Sequence, residues 1–330
     1  MHAGLKITAF AAALAATFGT AYGVGQGLGP VVDDEPPARH DAHMGAASGQ
    51  SEHPGEPGRP GHSGHSEHEG APAGGLQISE NGYTLDLRTP RLTAGRTADL
   101  RFAIRGDDGR AVTAFRREHD KELHLVVASR DLNTYRHLHP TRAADGTWSI
   151  PVSLPRAGDY RVFADFTPAK KGAENLTLGT DLAVSGTYAP QNLPAPTTTT
   201  TTTDGYEVRL GGALRPGAAH ELKLAVSRGG RPVTDLQPYL GAYGHLVALR
   251  SGDLAYLHVH PNGEPGDGTT AAGPGISFTA TAPSSGTYRL FLDFKHDGKV
   301  HTAAFTVSTG GAAAAPVDAA PHESSGAHGH

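Results

Sequence analysis

The sequence predicts an all-β protein made of two tandem antiparallel β-sandwich domains, of immunoglobulin or cupredoxin type. Three observations predict it. A block of sequence occurs twice: His124-Leu-Val-Val leads to His137-Leu-His139-Pro140, and His245-Leu-Val-Ala leads to His258-Val-His260-Pro261. In both copies the second histidine follows the first by 13 residues and the third by 15. Each copy closes on a matching run, Gly158-Asp-Tyr-Arg-Val-Phe-Ala-Asp-Phe166 and Gly286-Thr-Tyr-Arg-Leu-Phe-Leu-Asp-Phe294. Repetition at so long an interval marks a duplicated domain rather than a solenoid. Second, Tyr83–Leu87, Ala98–Ile104, Tyr206–Leu210 and Glu221–Val226 alternate polar and apolar residues between turn signals such as Asp107-Asp-Gly109, Asp145-Gly146, Arg228-Gly-Gly230 and Asp297-Gly298. Third, Gly 44 and Pro 24 with only 6% aromatic residues suit short strands and turns. About seven short strands per hundred residues is the pattern of a sandwich.

The elements follow in order. Lys6 precedes an uncharged stretch, Ile7 to Val32. It is long enough for a signal anchor, and Ala21-Tyr-Gly23 offers a poor cleavage site for the alternative, a signal peptide. Either way the charge order leaves the N-terminus inside and the rest extracytoplasmic, either membrane-anchored or secreted. Residues 33–75 are rich in Pro, Gly, Ser and Glu and carry His40, His43, His53, His62, His65 and His68; they read as a disordered stalk. Residues 76–188 are the first sandwich and 189–203, ending in seven threonines, a linker. Residues 204–309 are the second sandwich, and 310–330 a disordered tail with His322, His328 and His330. Stalk and tail histidines suit either weak metal chelation or pH-sensitive solvation.

Composition removes several functions. Net charge is −5, and no block of Lys or Arg is dense enough for nucleic acid. Protonation of all 20 histidines would reverse the sign of that charge. The absence of cysteine excludes disulfides, thiolate nucleophiles, zinc–thiolate sites and blue copper. No nucleophile elbow, phosphate loop or dinucleotide fingerprint occurs, so the expectation is a protein that is not an enzyme.

The histidines carry the functional question. Residues two apart on a strand share a face, so His258 and His260 lie together, as do His137 and His139. A hairpin turning at Arg250–Asp253, with Leu249 opposite Leu254, sets His245 opposite His258. The same register in the first copy, turning at Ser129–Leu132, sets His124 opposite His137. A slip of one residue would separate them. Three neutral imidazoles on a sheet suit Cu(II), Zn(II) or Ni(II), copper being the first expectation. The second copy is the better supplied, because His296 and His301 on its closing hairpin can join His245, His258 and His260. The first copy offers His124, His137 and His139, with His119 nearby. The competing expectation is structural. His245 shares its face with Val247 and Leu249, and His-x-His-Pro can mark a strand end. Asp165 and Asp293 read as turn anchors or sheet caps, Arg161 and Arg289, which alternate with them, as residues that pair across the sheet, and Glu118, Asp120 and Glu122 as a solvated loop.

The strings Pro238–Val247, Asp253–Pro261 and Gly286–Phe294 resemble a family of secreted or membrane-anchored actinobacterial envelope proteins, some loosely labelled heavy-metal-binding. The resemblance covers the N-terminal segment and both repeats. It implies an envelope location, a β-sandwich fold and metal binding. A non-metal module that presents sheet faces to an envelope protein or glycan is the alternative.

Overall fold

The computed structural model describes residues 73–309 apart from Thr203 and His258, and the side chain of His260 is likewise not described. The expected signal or anchor, nearly all of the stalk and the tail lie outside the described residues. No described helix is long and apolar enough to cross a membrane.

The described residues are all-β, as the alternation predicts. The first repeat supplies β1 (Ser79–Glu80), β2 (Tyr83–Leu87), β3 (Arg91–Thr93), β4 (Thr97–Arg105), β5 (Phe115–Arg116), β6 (His124–Ser129), β7 (Tyr135–Leu138), β8 (Thr141–Arg142), β9 (Thr147–Ser153), β10 (Gly158–Pro168) and β11 (Leu176–Ser185). The second supplies β12 (Thr199–Thr201), β13 (Tyr206–Gly212), β14 (Ala219–Arg228), β15 (Arg231–Pro232), β16 (Gly244–Arg250), β17 (Tyr256–Leu257), β18 (His260–Pro261), β19 (Gly275–Thr281), β20 (Thr287–His296) and β21 (Lys299–Ser308).

Each repeat is a two-sheet sandwich. In the first, β1-β2-β4-β9-β8 face β3-β11-β10-β6-β7; in the second, β12-β13-β14-β19-β18 face β17-β16-β20-β21. Alternate residues point inward and fill two separate cores. Leu85, Leu100, Phe102, Ile104, Trp148 and Tyr160 lie in one, and Val208, Leu224, Phe278, Tyr288, Leu290 and Phe305 in the other.

Two boundaries shift. Thr199–Thr201, expected in the linker, pair with Arg209, Val208 and Glu207 as β12, since alternating Thr is a good strand former at a sheet edge. Gly74 and Gly75, expected at the end of the stalk, are built into the fold. Gly74 exchanges backbone hydrogen bonds with Tyr256, and Gly75 donates to the Thr177 carbonyl at 2.7 Å. A Cβ on Gly179 would collide with the Gly75 carbonyl, which explains glycine in the middle of β11.

The hairpins have four-residue loops, as expected, but each loop starts one residue later. Ser129 N donates to Thr134 O and Arg250 N to Ala255 O. Consequently Val126, not His124, lies opposite His137, and Leu249 lies opposite Tyr256. The register differs by two residues. Because the side-chain period is two, every residue keeps its face, and His137 stays a diagonal neighbour of His124.

The repeats share a third core. Val126, Ala128, Leu132, Tyr135 and Phe163 pack against Val247, Leu249, Leu254, Tyr256 and Phe291. The contact is reciprocal: Tyr135 stacks on Phe291 with ring centres 4.1 Å apart, and its repeat-equivalent Tyr256 meets Phe163 at 5.5 Å. The same sheet faces that carry the histidines are therefore buried against each other, which brings residues of both repeats to one seam.

Candidate metal centre

Three strands and one turn position the seam histidines. β6 carries His124, β7 carries His137, His139 follows β7, and β16 carries His245. His119 sits in a turn closed by Glu118 N to Lys121 O (2.8 Å) and Lys121 N to Glu118 O (3.0 Å). His119 and Asp120 have φ of 49° and 62°, the left-handed pair that such a tight turn requires. Pro140 ends pairing after His139, so the chain leaves the seam sheet and resumes as β8 against β9.

The ring nitrogens are specifically committed. His137 Nδ1 lies 3.0 Å from Asp293 Oδ2 of the second repeat. His124 Nε2 lies 3.1 Å from the Glu118 carbonyl, and His245 Nε2 2.9 Å from the Tyr239 carbonyl. These oxygens only accept, so each of those nitrogens carries the proton. His124 Nδ1 and His137 Nε2 then face each other at 3.1 Å. In neutral rings both are lone pairs with no hydrogen between them. Among the described residues, His139 Nε2 is buried and has no hydrogen-bond partner. One nitrogen from each of His124, His137 and His139 falls within 4.8 Å of the others.

Burial keeps the His124, His139 and His245 rings neutral. Burial, reinforced by His137, holds His124 down at about 4 against the opposing Glu118 carbonyl bond. Burial, with His137 and His124, holds His139 down at about 2. Burial holds His245 at about 4. Neutral imidazoles are the form that binds metal.

Asp293 supports the arrangement from beneath. It accepts Tyr135 Oη at 3.2 Å and Thr302 Oγ1 at 2.5 Å besides facing His137. Its repeat-equivalent Asp165 accepts the Tyr256 hydroxyl, which raises that phenol, mainly through burial, well above its ordinary value. Glu118 is structural rather than solvated: Thr167 Oγ1 donates to its carboxylate at 2.5 Å, fixing the carbonyl that orients His124. Beside His119 opens a cavity of about 410 Å³ lined by Arg117, His119, Asp120, Gly241 and Glu264.

His296 and His301, expected to join His245, are bonded elsewhere. His296 faces Tyr206 Oη at 2.8 Å and Asp235 Oδ1 at 3.0 Å. His301 faces Asp204 Oδ2 at 2.8 Å and the His296 carbonyl at 3.3 Å. All four of these nitrogens already face oxygen, so neither ring turns toward His245. His258 and the His260 side chain lie outside the described residues; the His260 backbone pairs with Thr279 in the opposite sheet. Across the sheet, Arg161 binds Asp181 at 2.8 Å and Arg289 binds Thr306 Oγ1 at 2.9 Å, each its partner in the neighbouring strand.

Residues 78–178 and 200–311 match one family model, Domain of unknown function (DUF8832), and together these segments make up well over half of the chain. The chain belongs to that family. The two DUF8832 segments coincide with the two sandwiches. No curated protein sequence matches. Among solved structures, this DUF8832 chain is similar to FdeC, an Escherichia coli adhesin, at 16% identity and a TM-score of 0.22, over 69% of this chain and 65% of that one. Trypsin-activated alpha-2-macroglobulin from Escherichia coli gives 13% and 0.24 over 72% and 16%, and invasin, a bacterial integrin-binding protein, 12% and 0.20 over 70% and 40%. The DUF8832 chain thus spans less than two thirds of each of these proteins. At these scores the likeness adds nothing to what strand pairing already establishes.

Asp293 and Tyr239 are the site residues that spacing did not reveal. Asp293 had a signal, its recurrence as Asp165, but repetition alone could not show that it reaches across to the other repeat. Tyr239 acts through its backbone carbonyl, which no side-chain pattern encodes.

Proposed function

We propose that this chain is a non-enzymatic, extracytoplasmic module that binds a divalent transition-metal ion at His124, His137 and His139, with Asp293 holding His137 from the second repeat. The observation that carries the reading is the 3.1 Å contact between His124 Nδ1 and His137 Nε2, whose protons are both committed elsewhere. Two facing lone pairs are relieved by a metal ion or by a proton placed between them, and the spacing of the third imidazole supports the metal. Tetrahedral ligands with metal–nitrogen bonds of about 2.0–2.1 Å sit about 3.3 Å apart at their donor atoms. Their ring centres would be about 5.2 Å apart, taking each centre as about 3.2 Å from the ion. The observed separations are 5.4 Å for His124–His137, 5.1 Å for His124–His139 and 4.8 Å for His137–His139. None approaches the roughly 6.4 Å of a trans pair in a square-planar ion, on the same bond lengths. The spacing therefore favours Zn(II) over the Cu(II) suggested by residue types alone. The carboxylate–histidine pair Asp293–His137 is the usual device for fixing tautomer and raising ligand basicity.

The extracytoplasmic placement rests on Lys6 and the uncharged stretch after it. A second reading, docking of an envelope protein or glycan, is favoured by a cavity of about 520 Å³ in the second sandwich, lined in part by Leu210, Leu214, Leu222, Leu290 and Val307. Calorimetric titration with Zn(II) separates the two. Metal binding predicts one equivalent bound by the chain and loss of that binding in His139→Ala. No heat with the unmutated chain, together with a melting temperature of His139→Ala lowered equally with and without zinc, would leave the histidines with a structural role.

A further inference from the structure

The three first-repeat histidines leave one position of a tetrahedral shell unfilled, and resting on the metal reading above, we propose that His245 of the second repeat fills it, so that the ion is held jointly by both repeats. His245 is 7% exposed and lies on β16, an inner strand of its sheet paired to both β17 and β20. Its Nε2 is locked to the Tyr239 carbonyl at 2.9 Å, and Nδ1 takes no hydrogen bond from the described residues. The ring is thus set up as His124 is: one nitrogen tied to a backbone carbonyl six residues earlier in sequence, the other left as a lone pair in the neutral ring.

The β16–β20 register connects this donor to the rest of the site. His245 lies opposite Asp293, so the strand pair that presents His245 also presents the carboxylate held by His137. One structural unit of the second repeat therefore contributes a candidate ligand and the group that orients another. The His245 ring centre is 6.0 Å from that of His137 and 6.2 Å from that of His124. A tetrahedral shell requires about 5.2 Å, on the bond lengths used above. Closing that gap takes a movement of about 1 Å at the seam, on the same geometry. His119 is the rival for the fourth position. Its ring centre lies 5.2 Å from His245 and 6.1 Å from His124, but it sits in a turn at the mouth of the adjoining cavity rather than on the sheet.

The consequence is that zinc and the repeat-to-repeat contact stabilise each other. An ion bonded to both sides of the seam holds the two sandwiches together, and a seam already closed binds the ion more tightly.

The test uses the full chain labelled with nitrogen-15 at its histidine rings, titrated with Zn(II) and followed by NMR, alongside zinc competition with a chelator. The expected result is a shift of His245 Nδ1 together with those of His124, His137 and His139 at the first equivalent. His245→Ala should weaken zinc by about tenfold or more, a loss at least as large as that typical of removing an outer-shell partner, with His119→Ala having much the smaller effect. If the three first-repeat rings shift but His245 Nδ1 does not, and His245→Ala binds zinc as tightly as the unmutated chain, the joint site is overturned while the three-histidine site stands. A His119 shift in place of His245 overturns the joint site in the same way. If no ring nitrogen responds to zinc, both are overturned. Should His245→Ala fail to fold, the ring shifts of the unmutated chain still decide.

Discussion

Asp293→Asn changes a single atom pair and gives opposite results under the two readings of the histidines. The Asp293 carboxylate only accepts, so it holds the proton on His137 Nδ1 and leaves Nε2 as a lone pair aimed at His124. An asparagine of the same shape can place its NH₂ group where Oδ2 was, with one N–H toward Nδ1 and the other toward the Tyr135 oxygen, while its own oxygen goes on accepting from Thr302. His137 then switches tautomer and carries its proton on Nε2. That proton fills the 3.1 Å slot as an ordinary hydrogen bond to His124 Nδ1. If the site binds metal, the metal-free variant should be within about 1 kcal/mol of the parent, one hydrogen bond having been exchanged for another. Zinc affinity should fall by about 10–100-fold, the usual loss when an outer-shell carboxylate goes. At saturating zinc this is about 1.4–2.7 kcal/mol less stabilisation from the ion. If instead the slot exists to hold a His137 imidazolium against Asp293, the change breaks a buried pair with side chains 6% and 4% exposed. Breaking such a pair costs about 3–5 kcal/mol. Urea unfolding in chelator and in excess zinc distinguishes them. A large loss in chelator with the zinc increment unchanged would refute the metal argument.

Other consequences follow from the same geometry. Burial holds His124 and His245 at about 4 and His139 at about 2, all below the ordinary 6.5, so the folded chain binds fewer protons than the unfolded one below that value. Their stabilising contribution is complete above about pH 6.5 and declines as pH falls toward 4, with a ceiling of three protons, about 4 kcal/mol per pH unit before solvent screening reduces it. Urea midpoints in chelator that stay flat from pH 6.5 to 4 would contradict this. Phe291→Ala removes the ring stacked on Tyr135 at 4.1 Å and should cost about 3–5 kcal/mol by urea titration; a loss under about 1 kcal/mol would mean the seam is not a packed core. Gly179→Ala drives a methyl group into the Gly75 carbonyl and should cost about 1–3 kcal/mol in thermal unfolding, whereas a neutral outcome would mean Gly74–Gly75 are not integral to the fold.

The strand content was legible because alternation in runs such as Leu100, Phe102 and Ile104 is a direct record of which face is buried. The pairing register was less so. A hairpin loop of four residues can start at Ser129 or Arg130 with little change in turn chemistry, and only the backbone bond of Ser129 to Thr134 decides. The histidine cluster survived the difference because a shift of two preserves faces. What no local pattern contains is which sandwich faces which. His245 shares its strand face with Val247 and Leu249, and that face is core, as its apolar neighbours predict. It is the core between repeats, however, rather than within one, and there His245 meets His119, His124 and His137 instead of His296 and His301.

Among the described residues the duplicated motif is symmetric in packing and differs in the turns and hairpins around it. Tyr135 reaches Asp293 while Tyr256 reaches Asp165, and Phe291 and Phe163 receive the two tyrosine rings, so the aromatic and acidic positions of the repeat serve a reciprocal contact. Reciprocity places the histidine-bearing faces together but does not require two equal sites. The difference begins outside the motif. In the first repeat the Glu118–Lys121 turn aims a carbonyl at His124 and sets His119 above it. In the second, Tyr239 orients His245 but supplies no matching histidine turn, and the extra histidines of the closing hairpin are bound to Tyr206, Asp204 and Asp235. On the proposals above, the first repeat supplies most of the donors, and the second supplies the carboxylate and the last ligand.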